Sequence, residues 1–156
     1  MKSAEQDFNL AQQNLGVLYA LGKGVPQDHE KAIKYLQKGT GKDSIACQVF
    51  LAQVLSTFPR DEYGLRDGHI ATKIAENLVQ SRRSTEHLST LASAYAEAER
   101  FEDSITIQKE LLSNLKQKKS LSRNLLSIHE DYLERYQSKK PLRDHSLSFG
   151  LEYDVS

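Results

Sequence analysis

A leucine followed by a small residue returns along this chain at a nearly constant interval, and no other feature narrows the possible folds as far. Leu15-Gly16, Leu51-Ala52, Leu91-Ala92 and Leu125-Leu126 are separated by 36, 40 and 34 residues. Each pair lies in a stretch whose apolar residues share one helical face: Ala11, Leu15, Leu18 and Tyr19 in the first, Leu88, Leu91, Ala92 and Tyr95 in the third. Between them run further helical patterns, such as Ala32, Ile33, Tyr35 and Leu36, or Ile105, Ile107, Leu111, Leu112 and Leu115. Two helices per period of this length predict an all-α solenoid, in which each hairpin is too small to bury its own apolar face and leans on its neighbours. The small residue after the first three leucines has a mechanical reason, since a larger side chain would hold crossing helices apart. Leu126 departs from that rule, as suits a last helix with no partner to admit.

The expected organisation is helix pairs over about 5–39, 44–80 and 85–117, a final helix over 122–137, and a C-terminal tail over 138–156. Strict strand alternation is absent except in the short stretch 146–155. The break Gly22-Lys23-Gly24-Val25-Pro26 between the first two helices has the glycines of a phosphate loop but not its context. Such a loop follows a strand and opens directly into a helix, whereas here a helix precedes and Val25-Pro26 follows. The glycines are expected to take positive φ at the end of the first helix, with Asp28 capping the second.

The residues that make up the first hairpin carry a resemblance. Residues 11–39, with Leu15, Gly16, Tyr19, Gly22, Gly24, Val25, Asp28, Lys31, Ala32 and Tyr35, resemble a Sel1-like repeat. Residues 88–112, through Leu88, Leu91, Ala92, Tyr95, Ala98 and Phe101, are similar to a tetratricopeptide repeat, with Ser104 and Gln108 standing where that family usually has alanine and an aromatic residue. Residues 45–80 look like a divergent member, and Ala4-Glu5-Gln6 like the close of a preceding repeat. The resemblance implies a right-handed superhelix of antiparallel helix pairs that binds proteins or peptides rather than catalysing a reaction. Among its cysteine-rich relatives paired cysteines staple each hairpin, which the single Cys47 cannot do.

Catalysis and cofactors find little support in the residues themselves. Five histidines, at 29, 69, 87, 129 and 145, are too far apart for a helical zinc site, and no CxxC or HExxH occurs, so neither metal nor other cofactor is expected. The acidic pairs Asp61-Glu62, Glu102-Asp103 and Glu130-Asp131 read as solvated charge, and Cys47, in an apolar run, reads as a small buried hydrophobe. Lysine plus arginine equals aspartate plus glutamate at 21 each, so no global field gathers nucleic acid or anionic membrane. Residues 108–143 do hold nine basic against four acidic residues, which leaves a weak nucleic-acid binder as a remote alternative. No apolar stretch reaches the roughly 18 residues of a membrane span. No export signal is visible, so the cytoplasm is the default expectation, or the periplasm or exterior if an N-terminal segment has been removed.

A binding face follows from helix geometry at about 100° per residue. Positions two before, two after and five after each marker leucine point away from the hairpin partner, where stacked repeats have their inner curve. These are Gln13, Val17 and Ala20; Val49, Gln53 and Ser56; Ser89, Ser93 and Ala96; Arg123, Ser127 and Glu130, with Glu86 and Glu97 nearby. The expected partner-binding residues are accordingly Gln13, Gln53, Ser56, Glu86, Ser89, Ser93, Glu97, Arg123, Ser127 and Glu130, a polar lining suited to an extended peptide or a partner helix. The function expected is that of a non-catalytic interaction adaptor for a protein or peptide; the alternative is a regulatory or substrate-recruiting module of an enzyme complex. The tail, in which Phe149, Leu151 and Tyr153 alternate, is expected to fold back over the last helix, because an uncapped repeat leaves apolar surface exposed. The other courses open to it are to add to a partner or to stay without fixed structure.

Overall fold

A computed structural model describes residues 2–39, 45–57, 66–119 and 122–143. Seven α-helices follow in order: α1 (Lys2–Leu21), α2 (His29–Gly39), α3 (Ile45–Thr57), α4 (Gly68–Ser81), α5 (Thr85–Glu97), α6 (Phe101–Lys116) and α7 (Arg123–Gln137), with no strand among the described residues. Neighbours in sequence are neighbours in space, α1 on α2, α3 on α4 and α5 on α6, and the hairpins are joined in turn by α2 on α3, α4 on α5 and α6 on α7. A further contact between non-sequential helices, α3 on α5, makes the array a stack rather than a chain of hairpins. The protein is an all-helical solenoid. The stretch 146–155 lies outside the described residues.

The close-crossing argument holds at Gly16. A Cβ there would stand 2.6 Å from Leu36 Cγ and 3.2 Å from the Ala32 carbonyl oxygen, so only glycine lets α1 and α2 meet. At the third crossing, between α5 and α6, the Ala92 carbonyl accepts a hydrogen bond from Ser104 Oγ at 2.7 Å. Ser104 and Gln108 are fully buried, so α6 seats closely despite the replaced alanine and aromatic. The motif residues of the first hairpin form one cluster. Tyr19 stacks on Tyr35 with centroids 5.5 Å apart, and Lys31 lies 5.3 Å above the Tyr19 ring while pairing with Asp28 at 3.0 Å.

Three of the odd-numbered helices end alike. Lys23 N–H donates to Leu18 O at 3.2 Å, Arg100 N–H to Tyr95 O at 2.8 Å and Lys140 N–H to Arg135 O at 2.9 Å, the six-to-one bond of a Schellman turn. The residue before each donor has positive φ: Gly22 at 65°, Glu99 at 61° and Lys139 at 54°. The Gly22 break is thus a helix stop, and Asp28 Oδ1 accepts from Lys31 N–H at 3.0 Å as the cap of α2.

The core runs through the stack in one piece, from Ala20, Ala32 and Leu36 through Phe50, Leu51, Val54 and Leu55 to Leu88, Leu91, Leu111 and Leu115. Helix α3 is its axis: from Val49 to Thr57 every side chain is buried, together with Cys47. A second cluster closes the far end with Ala92, Ala96, Tyr132, Tyr136 and Leu142.

Candidate partner-binding face

The face expected to line a groove divides in two. Gln53, Ser56 and Ser93 are buried, at 7%, 0% and 3% exposure, so they meet a neighbouring repeat and not a partner. Gln53 Nε2 donates to Thr90 Oγ1 at 3.3 Å, and Ser56 Oγ lies 3.2 Å from Ser93 Oγ. Both pairs are 37 residues apart, one helical turn short of the 40 that separate the marker leucines of α3 and α5. The positions directed away from the hairpin partner are therefore directed at the next odd-numbered helix, and their small polar side chains let α3 and α5 approach. Periodicity identifies the face; it is silent on whether a neighbouring helix already covers it.

The remaining residues lie on three helices. Gln13 is half-buried on α1, Glu86 and Ser89 are half-buried near the start of α5, and Arg123, Ser127 and Glu130 form an exposed row on α7. Glu130 meets Lys116 of α6 at 3.5 Å. That contact, and one made by Arg143, draws two members of the basic stretch 108–143 into ion pairs.

Glu97, the last residue of α5, has the most developed surroundings. Its side chain is only 12% exposed and stands between two guanidinium groups: Arg66 Nε at 3.5 Å from Oε1, and Arg143 Nη1 at 2.7 Å from Oε2. Arg66 directly precedes Asp67, the N-cap of α4, and Arg143 follows α7, so this carboxylate ties together segments distant in sequence. Beside it, Leu142 is 6% exposed in the cluster that includes Ala92 and Ala96 of α5 and Tyr132 and Tyr136 of α7. Residues 141–143 thus lie against the ends of α5 and α7; the expected fold-back of the tail, which rests on Phe149, Leu151 and Tyr153, falls on residues 144–156, outside the described residues.

Two residues that sequence reasoning did not assign to any role join α6 to α7. Gln108 Nε2 donates to the His129 carbonyl at 2.8 Å and lies 3.2 Å from His129 Nδ1. Burial of the ring drives the His129 pKa down to about 4, so Nδ1 accepts from the amide and the proton sits on Nε2. The only signal for this pair was the presence of polar residues at core positions of two helical patterns.

Among the described residues no three histidine, cysteine, aspartate or glutamate side chains are grouped as metal ligands, and no helix is long and apolar enough to cross a membrane. Residues 9–41 match the family model of the Sel1 repeat. No curated protein and no solved structure gives a match. The match spans the first hairpin, and the described helices after it continue as packed antiparallel neighbours. Sel1 repeats generally mediate protein–protein interaction and are not enzymes.

Proposed function

We propose that this protein is a non-catalytic adaptor that binds a segment of a protein partner. The observation that carries the reading is the Sel1 match at residues 9–41 within a chain whose described helices stack as one array. A stack of this kind offers a long, pre-formed surface and little enclosed volume, which favours an extended peptide or a helix over a small metabolite. The binding residues proposed are those of the polar row left in reach of a partner, Gln13, Glu86, Ser89, Arg123, Ser127 and Glu130, with Glu97 at its edge engaged by Arg66 and Arg143.

The test is affinity capture from the native cell with the full chain as bait, beside a variant carrying Ser89→Arg, Ser127→Arg and Glu130→Arg. All three positions retain solvent contact, so folding tolerates the change. The variant is expected to keep its helical content and melting temperature and to lose the partner. Retention of every specific partner by the folded variant would place the contact elsewhere.

A further inference from the structure

We infer that α1 pairs antiparallel with α1 of a second copy of this chain, through an apolar stripe that the stack leaves uncovered at its first hairpin. The inference goes beyond the adaptor reading and does not depend on it.

The stripe is written in the sequence. Ala4, Phe8, Ala11, Leu15 and Leu18 follow one another at intervals of four, three, four and three residues, the spacing that lays one helix along another. At about 100° per residue all five fall within a sector of about 80°. The face of α1 that meets α2 lies elsewhere, around Gly16, where the missing Cβ admits Leu36. Ala4, Phe8, Ala11 and Leu18 are exposed and Leu15 is half-buried, with Leu10, also exposed, at the edge of the stripe.

The later hairpins show what belongs on such a surface. Shifted by the 36 and 40 residues that separate the marker leucines, Ala11 corresponds to Cys47 and His87, and Leu18 to Val54 and Ala94. All four of these counterparts are buried. Two of them rest on the second helix of the preceding hairpin: a Cβ on Gly39 of α2 would come within 2.8 Å of Cys47 Sγ, and His87 Nδ1 lies 3.0 Å from the Leu78 carbonyl oxygen of α4. The stripe on α1 is therefore the continuation of the interface by which successive hairpins join, and the occupant that fits it is another helix.

The opposite end of the stack does not supply that helix. Every fully exposed residue of α7 is polar, among them Arg123, Asp131 and Glu134, so head-to-tail addition of copies would set charge against Phe8 and Leu18. A two-fold pairing of α1 with itself sets apolar against apolar. In the antiparallel register centred on Gln13, Phe8 lies beside Leu18 of the second copy and Ala11 beside Leu15 of the second copy. A register centred on Ala11 would instead set Phe8 against Asn14 and Leu15 against Asp7. The stripe is about 21 Å long from Ala4 to Leu18. Two of them cover on the order of 1,000 Å² in all, the lower limit for a specific interface, so the dimer is a weak one.

The experiment is sedimentation equilibrium of the full chain, which is expected to show monomer and dimer in exchange at about 10–100 µM. Phe8→Glu and Leu18→Lys should each weaken the dimer at least about tenfold, because each buries a charge against an apolar side chain. Both residues are exposed in the single copy, so helical content and melting temperature at low concentration are expected to stay unchanged. An equimolar mixture of the two variants should associate again: the mixed pair keeps one Phe8–Leu18 layer and sets the new carboxylate beside the new ammonium in the other. Ala11→Glu, at an exposed position where no large side chain is removed, gives the same loss should either variant fail to fold. A wild type that stays monomeric to about 200 µM sinks the proposal. A dimer that survives all three substitutions also overturns it and puts the contact elsewhere, and a mixture that stays monomeric overturns the antiparallel pairing.

Discussion

At the scale of single residues, opposing effects can be weighed at Gly16 and His129. Replacing a mid-helix glycine by alanine ordinarily stabilises by about 0.5–1 kcal/mol through backbone entropy. At Gly16 the added Cβ would lie 2.6 Å from Leu36 Cγ, in a core that has no room to give, and overpacking costs about 1–3 kcal/mol. Gly16→Ala is therefore expected to lower the urea midpoint by the equivalent of about 1 kcal/mol; a rise in midpoint would show that propensity wins and that the crossing is looser. His129 is neutral in the fold, with its pKa lowered from 6.5 to about 4 by burial. The unfolded chain takes up that proton first, so the histidine's contribution is fully present above pH 6.5 and is lost as pH falls towards 4, about 3 kcal/mol in all. His129→Leu keeps the peptide oxygen that Gln108 uses and should flatten the stability profile between pH 6.5 and 4; an unchanged slope in denaturation series would sink the assignment. Of the two roles only the glycine's was legible beforehand, because spacing marks a crossing, while the histidine's depended on which residue of another helix it meets.

At the scale of elements, the α3–α5 seam is where sequence and structure part most clearly. Helical periodicity correctly separates Gln53, Ser56 and Ser93 from the hairpin-facing leucines, but polarity suggests solvent and the structure supplies a second helix. The hydrogen bonds across the seam are not equivalent. Ser56 Oγ donates to Ala52 O at 2.7 Å and Ser93 Oγ to Thr90 O at 2.9 Å, so each hydroxyl proton is already engaged within its own helix. Thr90 Oγ1 donates to Glu86 O at 2.8 Å and keeps lone pairs for the Gln53 amide. Double-mutant cycles with alanine should accordingly give a coupling of about 1 kcal/mol for Gln53–Thr90 and less than about 0.5 kcal/mol for Ser56–Ser93. The reverse order would mean that the hydroxyls reorient and that the amide is a bystander.

At the scale of the whole molecule, burial is uneven along the stack, and stability should follow it. Helix α3 is buried from Val49 to Thr57, whereas α1 leaves Phe8, Leu10 and Leu18 at 58%, 56% and 37% exposure. In a one-dimensional array an end unit has fewer neighbours and opens at lower free energy than the middle. Native-state hydrogen exchange is expected to protect the amides of Leu51 to Leu55 at least about 100-fold more than those of Phe8 to Ala11. Uniform protection would instead mark a single cooperative unit. At the other end, Leu142 and Arg143 cover the last repeat, so C-terminal opening should be rarer than N-terminal opening in the same data.

The order of helices, their hairpin partners, the helix stop at Gly22 and the glycine crossing at Gly16 were determined by the sequence alone, because each depends on residues within one period: apolar spacing, a cap, a positive φ or a missing Cβ. Contacts between periods were decided only by the tertiary structure. The burial of Gln53, Ser56 and Ser93, the meeting of Gln108 with His129, and the gathering of Arg66 and Arg143 on Glu97 all depend on the stagger between neighbouring hairpins, a one-turn offset that shape and packing set together and that no local pattern records.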